Sequence, residues 1–185
     1  MQNYIAKYKP FLLFLGKFFL TYMVLTFLYQ LYLRSFDATT FEPDGFTTLV
    51  SKNVKWVLEV FDYDVSMEPH RKEASYRMFI GDDSVVRIVE GCNAVSVVIL
   101  FVSFIVAFSG KLKKMLLFIF GGILLIHILN VLRIVLLIIG LIKFPQYEHF
   151  MHDIVFPLFI YGVVFGLWVI WINKYSVYAK KSAAK

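Results

Sequence analysis

The sequence predicts an all-α integral membrane protein with about four transmembrane helices, and three observations carry that prediction. Of its 185 residues, 59% are hydrophobic and 18% aromatic, and the mean hydropathy is +0.71, well beyond what a water-soluble domain of this size carries. Its apolar runs match the ~20 residues needed to cross ~30 Å of hydrocarbon. Its charges gather between those runs, with acidic and basic groups falling in alternate gaps.

The first run, Pro10 to Leu33, follows Lys7 and Lys9, and Lys17 within it is placed to snorkel back toward the same basic side. Leu33-Arg34-Ser35-Phe36-Asp37 offers no small-residue cleavage site, so the run reads as a retained anchor and not as a cleaved signal. Residues 1–33 therefore form a cytoplasmic N-terminus and first span.

Residues 34–90 form the polar region, with 11 of the 13 acidic residues and seven of the 19 basic ones. Phe46, Leu49, Val50, Val54, Val57, Leu58 and Phe61 recur there at helical spacing. This predicts an amphipathic helix, either on the membrane and the other spans or packed within a small cap. Tyr76–Ile80 and Val85–Val89, rich in β-type residues, flank Gly81-Asp82-Asp83 and predict a short hairpin.

Residues 91–173 hold three further spans. Gly91 to Ser109 contains no charge, and its Ser96 and Ser103 can bond back to a helix backbone. After Lys111-Leu112-Lys113-Lys114, Met115 to Ile142 is apolar except for His127, Asn130 and Arg133. A polar turn, Lys143 to Asp153, carries Glu148, His149 and His152, and the last span runs from about Ile154 to Ile172. Residues 174–185 are a basic tail.

Four spans place both termini on one side. The N-terminal flank, the Lys111–Lys114 turn and the tail carry ten basic residues and no acidic one, and all 13 acidic residues fall on the other side. Short basic loops stay in the cytoplasm. The prediction is therefore N-in and C-in, with the 34–90 loop region and the His149/His152 turn extracytoplasmic.

That topology brings Cys92, Arg133 and His152 toward one level of the membrane. With the third span ending at Ile139 to Ile142, Arg133 lies roughly 9 to 14 Å below the helix end, within reach of Cys92 and His152. Each has a plainer reading: a lone cysteine is often a small buried hydrophobe, and His127 and Asn130 suit interhelical hydrogen bonds. An arginine within a span costs a few kcal/mol at mid-membrane and ordinarily faces a bundle interior or a polar cavity. Cys92 sits at the interface behind Glu90-Gly91, where thiolate chemistry is favoured over burial. A cysteine nucleophile, a histidine base and an arginine to hold developing negative charge make a workable acyl-transfer set.

Two other readings remain open. Cys92, His149 and His152, with Glu148 or Glu90, are compatible with a metal at the outer face. Alternatively, the chain is a non-catalytic membrane scaffold whose acidic loop binds a partner. A single cysteine excludes an intramolecular disulfide. There is no glycine-rich phosphate loop, and the basic residues are membrane flanks, which argues against nucleic-acid binding.

Val89-Glu90-Gly91-Cys92-Asn93, then Asn130-Val131-Leu132-Arg133, then His152-Asp153 before an aromatic span, resemble the exosortase/archaeosortase family, including the short F-type exosortases. The resemblance implies a bacterial inner-membrane cysteine peptidase or transpeptidase, with no cofactor and no metal. It implies Cys92 as nucleophile, Arg133 as the catalytic arginine and His152 as the third member, with His149 its rival. Substrates would be secreted proteins held in the bilayer by C-terminal sorting signals, cleaved through a thioester and passed to a surface acceptor or to water. Two departures stand out: Ala94 replaces a glycine frequent two residues after the cysteine, and many members are longer.

Overall fold

The computed structural model describes residues 2–36, 41–147 and 150–176, and gives the backbone alone at residues 2–7, 147, 152, 153 and 156. The elements run α1 (Gln2–Leu33), α2 (Gly45–Val60), β1 (Val65–Pro69), β2 (Ser75–Ile80), β3 (Asp83–Val89), α3 (Val95–Ala107), α4 (Leu112–Lys143) and α5 (Phe156–Lys174). Short 3-10 turns occupy Glu90–Cys92 and Pro145–Tyr147, and a π turn occupies Met151–Val155.

Among the described residues, three helices are long and apolar enough to cross a membrane: Tyr8–Leu33 within α1, then α4, then Pro157–Lys174 within α5. The second apolar run differs from expectation, because only 13 of its residues are helical, about 20 Å of rise. The reason is local. Asn93 turns its side-chain oxygen onto the Val95 N–H at 2.9 Å, and Ala94 adopts a left-handed φ of 61°. Cys92 therefore lies on a 3-10 turn ahead of the helix and not within it. Even so, Asn130 on α4 bonds the Cys92 carbonyl, so the run from Cys92 to Gly110 covers about the same height as the first 18 residues of α4, ~27 Å.

Aromatic and branched side chains pack α1, α3, the first half of α4 and α5 together. Phe101, Ile105, Ile126, Ile160, Val164 and Trp171 form one buried cluster. Phe104 stacks on Trp168 at 4.1 Å, and Phe14 meets Phe108 at 4.5 Å. Gly122 is required here, since a Cβ on it would overlap the Phe101 ring. Lys17 donates to the Ser109 hydroxyl at 2.7 Å, at the level of the basic α3–α4 turn, as the snorkelling argument expects.

The second half of α4 continues into a cap. Val131, Ile134, Val135 and Ile138 pack against Val50, Val54 and Leu58 of α2 and against Val65, Met78 and Ile88 of the sheet. The amphipathic helix thus lies on α4 and the sheet. Its residues Phe46 and Leu49, expected on the apolar face, are exposed together with Trp56. Asp44 caps α2 by accepting from the Phe46 and Thr47 N–H groups at 2.9 and 3.1 Å.

The expected hairpin is present as β2 and β3, turning at Gly81 with φ 59°. Its register pairs Tyr76 with Ile88 and Arg77 with Arg87, and Val85 is an extra residue that bulges β3. A third strand, β1, pairs with β2 antiparallel, giving the order β1-β2-β3. The region between the first two apolar runs is therefore mixed in structure, while the chain as a whole is mostly helical.

Candidate functional site

Cys92 and Arg133 line the same cavity, about 650 Å³, between β3 and the second half of α4. Its other charged or titratable lining groups are His70, Arg77 and Arg87, and its apolar wall includes Ile134, Leu137 and Leu141. Both Cys92 and Arg133 are half-buried. Arg133 lies 21 residues from Leu112, ~32 Å along the helix, about one hydrocarbon thickness. It thus stands near the end of a spanning length, not at its middle.

The turn that carries Cys92 is pinned from several sides. Asn130 donates from Nδ2 to the Cys92 carbonyl at 2.7 Å. The buried Asn93 donates to the Tyr29 hydroxyl at 2.9 Å and to the Thr47 hydroxyl at 3.3 Å, and Thr47 in turn donates to the Asp44 carboxylate. One asparagine therefore joins α1, α2 and the start of α3 directly behind the thiol. His127 meets Asn53 at 2.9 Å, so both polar residues of the α4 stripe make bonds between elements, the role their depth suggests.

Among the described residues, two buried polar atoms beside Cys92 lack a protein partner: Asn130 Oδ1 and Arg133 Nε. Leaving such atoms unsatisfied costs about 1–3 kcal/mol each, so they mark where a ligand or water atom completes the site.

The third residue read from the sequence, His152, falls in the π turn Met151–Val155 that leads into α5. Met151 of that turn packs over Gly140 of α4; the His152 side chain is not among those described. Glu148 and His149 lie outside the described residues. Among the described residues, no three of His, Cys, Asp or Glu are grouped to hold a metal.

Sequence reasoning missed His70. His70 follows β1, and its Nδ1 accepts the Lys72 N–H at 3.2 Å, which in the neutral ring puts the proton on Nε2. Its main-chain N–H bonds to Ser75 O at 2.9 Å, and Ser75 pairs with Val89, three residues before Cys92. The register of an unforeseen strand brings this histidine to the cavity, and no spacing pattern announces it.

These features define a membrane-embedded, mostly helical protein in which a cap and one long helix enclose a thiol and a guanidinium. A family model described as transmembrane exosortase matches residues 11–174. The chain belongs to the transmembrane exosortase family. No curated protein and no solved structure matches it.

Proposed function

We propose that this chain is a thiol-dependent membrane peptidase or transpeptidase that removes the C-terminal sorting signal of secreted proteins. The observation that carries this reading is the shared cavity of Cys92 and Arg133, with Arg133 Nε buried and unpartnered. Family membership supports the enzyme class.

In the proposed reaction the Cys92 thiolate attacks the carbonyl carbon of the scissile peptide bond. The S–C bond forms, and the carbonyl electron pair moves onto oxygen, where the Arg133 guanidinium stabilises it. Collapse of this intermediate breaks the C–N bond, and a histidine delivers a proton to the leaving amine. The signal helix departs and a thioester remains. An acceptor amine, another surface nucleophile or water then attacks, the C–S bond breaks, and the histidine takes up the nucleophile's proton.

His152 is the family-implied proton carrier, while among the described residues His70 is the histidine that lines the cavity. Basic flanks place the termini in the cytoplasm, so the cap and Cys92 face outward from a bacterial inner membrane. The bilayer and anchored secreted proteins are the proposed partners.

The test co-expresses C-terminally anchored secreted proteins from the same genome with wild-type chain or with Cys92→Ala at matched membrane levels, following substrate size by immunoblot. Shortening is expected with the wild type and to fall by about 10³-fold or more with Cys92→Ala. Equal shortening with both would remove the thiol mechanism. His152→Ala and His70→Ala in the same assay then assign the proton carrier.

A further inference from the structure

β3 is an edge strand, since it pairs with β2 and no other strand among the described residues. Six consecutive residues of it, Ser84 to Val89, line the Cys92 cavity. Strand side chains alternate between two faces, so a void that touches six in a row runs along the strand's edge and not over one face. No main-chain hydrogen bond joins these residues to anything beyond β2 among the described residues. The outward N–H and C=O groups of β3 therefore form an open half-ladder.

The far wall of this cleft is α4, through Arg133, Ile134 and Leu137, so the gap suits one extended chain and not the face of a second sheet. The strand also points at the chemistry, because Val89 leads within three residues to Cys92. The charge of the lining is one-sided, with arginines and a histidine and no Asp or Glu. Arg77 and Arg87 stand directly opposite each other, an unfavourable pairing for like charges. Glu73 holds one nitrogen of Arg87 at 2.9 Å, and Glu68 lies across from Arg77 in the register. Arg133 Nε has no partner among the described residues.

We propose that the free edge of β3 binds the substrate segment just outside its membrane anchor as an added strand. The occupant is an extended peptide carrying an acidic side chain toward the arginines. Main-chain bonds to β3 supply affinity, and alternate side-chain positions supply selectivity. This deepens the proposed function and rests on it for the identity of the peptide.

The test places a photo-crosslinking amino acid at Ser84 or Arg87 on β3, and at Ser66 on β1 as comparator, in full-length chain co-expressed with the anchored secreted proteins used above. Each version is made with Cys92 intact and with Cys92→Ala. Crosslinks from the β3 positions to the anchored protein are expected in both backgrounds, at tenfold or more the Ser66 yield. Amide replacement of acidic residues beside the anchor is expected to lower that yield at least threefold. Substrate shortening without β3 crosslinks overturns the inference and leaves the enzyme standing. With Cys92 intact, crosslinks without shortening overturn the enzyme and leave the peptide site standing. Crosslinking to a second copy of this chain instead would show that the edge is a self-association surface and end the proposal.

Discussion

The two halves of the molecule are both apolar inside, yet they are held by different physics. In the membrane half, rings and branched chains of α1, α3, α4 and α5 interlock around Phe101 and Trp171. Lipid is as apolar as these side chains, so close shape fit and a few hydrogen bonds hold the helices together, not release from water. In the cap, α2 and the sheet cover the second half of α4 through Val50, Leu58, Met78 and Ile88, and there burial from water is a driving force. The asparagine and aspartate bonds that fix the Cys92 turn lie where the two halves meet. The difference teaches that the cavity of Cys92 and Arg133 is built on the seam, where polar ties are tolerated and geometry is set from both sides.

Four tests, built on five substitutions, break or sharpen this comparison. Arg133→Gln removes the charge from the seam while keeping length, and processing is expected to fall about 10²–10³-fold with membrane levels unchanged, read by the immunoblot assay. Gly122→Val drives a side chain into Phe101 and is expected to cost the membrane half about 1–3 kcal/mol. Adding Phe101→Ala should restore part of that loss in thermal unfolding. Asp44→Ala is expected to cost about 1–2 kcal/mol, confined to the cap and seen as faster amide exchange in α2 but not in α5. Ala94→Gly relieves the left-handed backbone and is expected to stabilise by about 1 kcal/mol, read as a higher unfolding midpoint.

The membrane half was legible because length and hydropathy alone set its helices, and both α4 and α5 fall close to the expected runs. Its one departure from the expected runs, the short α3, comes from Asn93. Its side chain takes the Val95 N–H and bonds Tyr29 and Thr47, partners far away in sequence. The hairpin was legible from Gly81 and its β-branched flanks. β1 was not, because Val65–Pro69 is short, carries a proline, and is recruited as a strand only by pairing with β2. At the site, Cys92 and Arg133 stood out by type and place, and the structure brings both to one cavity. His70 was hidden because only strand register carries it there. The glycine that the family resemblance leads one to expect at position 94 also gains a physical reason, since φ there is 61° and glycine alone adopts such a value without strain.

The continuity of α4 has a further consequence. One unbroken helix joins the Lys111–Lys114 cluster to Arg133, so the two ends cannot shift independently, and the ~32 Å of helix between Leu112 and Arg133 is a rigid gauge. A thicker bilayer must submerge the guanidinium, draw in the lysines, or thin around the protein, each at a cost that grows with the mismatch. The protein thus carries its own measure of the membrane in which its cavity is correctly set, and lipid chain length becomes a setting on the depth of Arg133.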